Sequence, residues 1–390
     1  MQDIEGNGFG FHMARGRIGN ADDHSGAGGQ EIAGLDGLAG DGHAAVLHPL
    51  LDFAAGLAAE TGEDEVGPLM GLGGADGSAP DPFLGSGDFS ARLLGMTGHG
   101  FLILPFFCSL VYAIGALLLK RAMEAGQSPR HVLVACNLGL ALFSLPLLWW
   151  AKMPPSGLSA GIWLAAPACS VLFFLGQIGT FRALSGGDVS VATPILGTKV
   201  VITAILGTFF LPGGVAPHLW LGAFLGTAGV ALVGLQPGVH TGKALRTVGW
   251  GLFAAAVFSL TDVLVARAAK ELGFCLFGPW MMVGMAALSV WMIPWRRWAG
   301  IYRGSGGRWT LVGTSLIGLQ GSLLYAAIAL SGDPVGVNIV YAVRGLWSVI
   351  LVLWIGKWIG NREAGRSGAV LVSRAIGAAL LFGAVWVVLG

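Results

Sequence analysis

Apolar windows of about twenty residues, enough to cross the hydrocarbon core of a bilayer, recur ten times from Phe101 onward. Five lie in a first half: Phe101–Leu119, Val132–Ala151, Gly161–Leu184, Val189–Leu211 and Leu219–Leu235. Five more follow: Val248–Ala268, Phe274–Pro294, Trp309–Leu330, Val335–Ile359 and Ala369–Leu389. The polar stretches between them are short, which leaves no room for a soluble catalytic domain after Phe101. The pattern predicts an all-α integral membrane protein of ten transmembrane helices, because a helix satisfies its own backbone in lipid.

The two sets of five are related. Ser109-Leu-Val-Tyr, leading to Lys120, matches Ser259-Leu-Thr-Asp, leading to Lys270, at a separation of 150. Ala183-Leu-Ser-Gly matches Ala329-Leu-Ser-Gly 146 residues on, each at the joint between the third and fourth spans of its half. Lys199 and Arg344 lie 145 apart, each about eleven residues beyond an aspartate, Asp188 or Asp333. Ordered matches at a nearly constant offset indicate duplication. An odd number of spans per copy reverses the second one, giving an inverted repeat with a substrate site expected near the midplane.

Composition divides the chain differently. Up to Gly100 there are fifteen acids against Arg15, Arg17 and Arg92; beyond it, nineteen Lys and Arg face six acids. Residues 1–100 are thus an acidic Gly/Ala-rich tail whose low hydrophobicity and high charge predict disorder, unless translation begins at Met96. Its histidines His12, His24, His43 and His48 are too scattered for a metal site. Over the whole chain 54% of residues are hydrophobic and only 11% charged, too few to coat a water-facing surface. Lys and Arg crowd the loops after odd-numbered spans (Lys120, Arg121, Arg130, Arg296, Arg297, Arg303, Arg308, Arg362, Arg366), against Lys152, Arg267 and Lys270 opposite. Positive-inside reasoning puts the crowded side in the cytoplasm and both termini outside.

Charge within a span is costly and survives with a partner or in a water-filled cavity. Three such residues stand out: Lys199, Asp262 and Arg344. Asn338, Tyr341, Arg344 or Gly345, and Ser348 share one helical face, the pattern of a cavity wall. Two cations at equivalent repeat positions are expected to converge near the pseudo-twofold axis and bind an anion, Arg344 as a planar fork and Lys199 as a point charge. The competing reading pairs a cation with Asp262 as structural glue; Asp262 is then a counter-ion rather than a coupling carboxylate. Gln177 is a further candidate for the cavity lining, and Trp280, Trp347 and Trp354 for stacking. Thr193 and Pro194 could unwind span four, and Arg374 is near enough to a span end to snorkel. Cys108, Cys136, Cys169 and Cys275 sit in apolar runs without metal-ligand spacing and read as small apolar residues. No phosphate loop, nucleophile triad or metal cluster is present in the sequence, so neither an enzyme nor a cofactor is expected, and no nucleic-acid partner.

Five plus five spans, the joint Ala183-Leu-Ser-Gly-Gly-Asp188-Val-Ser-Val-Ala-Thr-Pro194 and the Gly-rich span five ending at Gly234 resemble the EamA-like branch of the drug/metabolite transporter superfamily. The resemblance implies EamA-like repeats at 101–235 and 236–390 and a secondary carrier working by alternating access. It also implies cytosolic termini, opposite to the charge bias. Many members carry a Glu just after span four, where this chain has Leu211-Pro-Gly-Gly. Organophosphate and nucleotide-sugar carriers of the superfamily are similar in their basic residues in spans four and nine, which implies that Lys199 and Arg344 hold substrate. The expected function is transport of a small polar, anionic or zwitterionic metabolite across a bacterial-type inner membrane, by a chain whose partners are lipid, substrate and, in one compatible assembly, a second copy. The alternatives are an exporter of apolar or cationic compounds with structural buried cations and, more distantly, a membrane-embedded lipid-modifying enzyme.

Overall fold

The computed structural model describes residues 102–186, 195–234, 244–293, 298, 300–355 and 368–389. The acidic tail, Asp188, Thr193 and Pro194 lie outside the described residues. Among the described residues every regular element is helical: α1 Ile103–Glu124, α2 Pro129–Ser144, α3 Ala160–Gly186, α4 Lys199–Phe210, α5 Pro217–Gly234, α6 Ala244–Leu272, α7 Phe274–Val290, α8 Gly307–Ser331, α9 Pro334–Tyr341, α10 Arg344–Ile355 and α11 Gly368–Leu389. A 3-10 segment, Leu145–Trp150, prolongs α2.

Eight of these segments are long and apolar enough to cross a membrane, counting α2 with its 3-10 extension and α9 with α10 as single spans. The stretch Ile195–Phe210 containing α4, and α7 at 17 residues, are apolar but shorter. Every described helix therefore falls on one of the ten apolar windows, while eight of them meet the length of a full crossing.

Local chemistry explains the sharpest joints. Gly273, at φ 87°, lets α7 begin one residue after α6 ends, a conformation that side chains resist. At the Ala329-Leu-Ser-Gly joint, Gly332 closes α8 in the left-handed region and sends its N–H to Ile328 O. Asp333 then caps α9, its Oδ1 accepting from Val335 N at 3.1 Å and Gly336 N at 2.9 Å, and Pro334 fills the first helical position. Burial raises the Asp333 carboxyl above its ordinary range, opposed by those two N–H groups and by His218.

The packing interleaves the two sets of helices. α1 lies along α8, α3 along α6, α2 along α7 and α8, α7 also along α3, and α5 along α11, while α1 barely touches α2. Small residues permit these approaches, as lipid-embedded helices require. Gly139 of α2 faces Thr314 and Gly318 of α8, Gly115 of α1 faces Gly313, and Gly229 of α5 faces Gly377 of α11. One core joins α4, α5, α9 and α11 through Val200, Ala204, Ala223, Ile339, Leu381 and Ala384. The outward faces keep large apolar groups exposed, among them Phe209, Trp291, Trp354 and Trp386, as lipid contact requires.

Candidate functional site

Lys199 and Arg344 occupy matching places in the fold. Each is the first residue of a helix that restarts inside an apolar stretch: Lys199 after a turn at Thr198, Arg344 after turns at Ala342 and Val343. At both points a three-residue backbone bond is present. Thr198 N bonds to Ile195 O at 3.1 Å, and Gly345 N bonds to Ala342 O at 3.2 Å rather than to Tyr341 O. Gly345 is the one small residue at the second break, and the apolar run on either side makes hydropathy read span nine as continuous.

Lys199 lies in an ion pair. Its Nζ stands 2.7 Å from Asp262 Oδ2, with the two side chains only 16% and 10% exposed. Asn338 Nδ2 donates to the same Oδ2 at 2.6 Å and to Pro334 O at 2.7 Å, which ties α6 to the head of α9. The Lys199 carbonyl accepts from Thr203 Oγ1 and Ser259 Oγ, so α4 is held to α6 by backbone as well as by charge. Lys199 Nζ also lies 5.7 Å from the centroid of the Phe258 ring.

Arg344 is set among aromatic rings. Its guanidinium carbon is 4.4 Å from the Tyr341 ring centroid and 5.4 Å from that of Tyr112, and the two rings meet edge to face. Tyr341 Oη donates to Gln320 Oε1 at 3.1 Å. One turn past Arg344, the buried Nε1 of Trp347 has no hydrogen-bond partner among the described residues, and a buried donor ordinarily has one.

The sequence candidates thus separate into groups. Lys199 and Asn338 both bond to Asp262, and Tyr341 and Arg344, three and six residues beyond Asn338, stack on one another. Gln177 is elsewhere engaged, in a reciprocal amide pair with Asn137 at 3.0 and 2.8 Å that joins α3 to α2. Trp354 is 80% exposed on the outer surface and Trp280 packs on Trp163, whereas Trp347 stacks edge-on against Phe106 beside the site. Arg374, expected to reach outward, is 8% exposed instead, because it lies almost two turns inside α11 on a buried face. Tyr112, Gln320 and Asn137 were not singled out as candidates. For Tyr112 a signal existed, since the offset of 150 sets it opposite Asp262. All four cysteines are free thiols. Among the described residues no three His, Cys, Asp or Glu side chains gather as a metal site needs.

These apolar helices and their buried charges define a multi-pass membrane protein. Residues 99–235, the first five apolar segments, match the model of the EamA-like transporter family, which belongs to the drug/metabolite transporter superfamily. No curated protein matches the chain. A solved crystal structure, titled only as that of a protein, is similar in fold: TM-score 0.54 at 17% identity, over 75% of this chain and 96% of that one.

Proposed function

We propose that the protein is a secondary carrier, not an enzyme, that moves a small polar metabolite, anionic or zwitterionic, across a bacterial-type inner membrane by alternating access. The observation that carries this reading is the matched placement of Lys199 and Arg344, 145 residues apart, each opening a helix within an apolar stretch. A cation inside an apolar stretch survives with a partner or in a water-filled cavity, and a bound anion supplies such a partner. Discontinuous helices of this kind line the midplane sites of inverted-repeat carriers. Trp347 Nε1 is a further donor beside Arg344.

The same reading takes the ten apolar segments as ten spans in two inverted five-helix repeats. Helix pairing supports it: exchanging the first five segments with the second five turns α1–α8 into α6–α3 and α2–α8 into α7–α3. It also leaves α2–α7 and α5–α11 unchanged. Lys199 over Asp262 becomes Arg344 over Tyr112 under the same exchange.

The Lys199–Asp262 ion pair favours a second reading, in which the buried cations are structural and the cargo is apolar or cationic. A thermal-shift screen of purified protein separates the two. Ligand at a hundred times its Kd stabilises the folded state by about 2.7 kcal/mol. Organic anions are expected to give the shift, and Arg344→Gln to remove it. Stabilisation by cationic or apolar compounds alone, unchanged in Arg344→Gln, would overturn the anion site.

A further inference from the structure

The Lys199–Asp262 pair poses a problem for any anion that uses Lys199. The ammonium already holds a carboxylate at 2.7 Å, and both side chains are nearly out of solvent. An arriving anion would set two negative charges about one cation in a poorly screened site, the arrangement that drives one of the two acids to take a proton. We propose that Asp262 is that group: Lys199 passes from the Asp262 carboxylate to the substrate's anionic group, and Asp262 binds one proton as it is released. The proposal deepens the anion-carrier reading above and rests on it.

Charge bookkeeping favours this exchange. Lys199, Arg344 and Asp262 sum to one positive charge when the site is empty. Adding a monoanion and a proton leaves that sum unchanged, so loaded and empty sites face the same electrostatic cost in the membrane. Adding the anion alone changes it. The cycle is then an electroneutral symport of one anion with one proton.

The surroundings of Asp262 fit a carboxyl that changes its charge without losing its place. Asn338 Nδ2 donates to Oδ2 and can remain with the neutral acid. From α4 comes Lys199 and from α9 Asn338, while the Thr203 hydroxyl of α4 bonds to Ser259 and the Tyr341 hydroxyl of α9 to Gln320. From α3 the Cys169 thiol faces Thr261 O and lies within electrostatic reach of Asp262, with Tyr325 of α8 and Cys275 of α7 beyond it. Lys199 is the one Lys, Arg, Asp or Glu among these described groups. The duplication also sets the stoichiometry. Position 112, equivalent to 262 at the offset of 150, carries a tyrosine that Arg344 overlies. The first repeat therefore has a phenol where the second has a carboxylate, and the pair of positions offers one proton site rather than two.

The test uses the full chain in weakly buffered detergent with a pH-sensitive dye. Acetate, benzoate and inorganic phosphate are added singly, and melting temperature is followed in parallel. A monoanion that raises the melting temperature should draw close to one proton per protein from solution, and its affinity should fall about tenfold per pH unit at alkaline pH. Asp262→Asn should bind the same anion with no proton uptake and no pH slope. If that variant does not fold, uptake and slope in the wild type decide the matter. Stabilisation without uptake, or uptake that survives in Asp262→Asn, overturns the coupling alone. Failure of every probe to stabilise the protein sinks the anion site and the coupling with it.

Discussion

Asp262→Ala is expected to cost about 3–5 kcal/mol of stability, the range found when one partner of a buried ion pair is removed. The loss has two sources. Lys199 Nζ would be left in a site where it is only 16% exposed, without the carboxylate now 2.7 Å away. Asn338 would lose its bond to Oδ2 and with it the tie between α6 and the start of α9. Removing both charges, as in Lys199→Met with Asp262→Leu, should restore most of the stability, since a buried pair often does no better than apolar groups of similar volume. Unfolding midpoints in detergent for the single and double variants check this. A single variant as stable as the wild type would mean that the pair is open to water.

Gly318→Leu should be as damaging for a different reason, about 3 kcal/mol from overpacking. A Cβ at Gly318 would stand 2.6 Å from the carbonyl carbon of Gly139 and 2.7 Å from its oxygen, both backbone atoms of α2 that no rotamer change can move. Nothing but separation of α2 from α8 relieves the overlap. Gly383→Leu on α11, where an added Cβ meets nothing within 4 Å, is the matched control and should melt within a degree or two of the wild type. Equal melting of Gly318→Leu and the wild type would show that the two helices are not in contact in solution.

The hydropathy pattern carried the helices because spans must be apolar along nearly their whole length, and windows such as Trp309–Leu330 fall within a few residues of α8, Gly307–Ser331. What stayed hidden is where a helix changes its bonding without changing its composition. Ala342 and Val343 are as apolar as their neighbours, yet a three-residue backbone bond is present there and Arg344 becomes a helix start. Partner choice was hidden too, because it depends on interhelical distance. Sequence left Lys199 free to meet either Arg344 or Asp262, and the carboxylate occupies it. Gln177 looked equally available until Asn137, forty residues earlier, took both ends of its amide. Tyr112 was legible only through the offset of 150 residues that separates it from Asp262, and its place beside Arg344 needed coordinates.

The central claim is that Arg344 and Lys199 serve a transported anion rather than the bundle's stability. Counterflow in liposomes of pure protein tests it most directly, with the labelled anion that best stabilises the protein in detergent. Saturable uptake by the wild type is expected, falling about ten- to a hundredfold in Arg344→Gln, the worth of hydrogen bonds to a charged group. The variant's melting temperature without ligand should stay near that of the wild type. Equal uptake by Arg344→Gln, or wild-type uptake confined to cationic and apolar compounds, would contradict it.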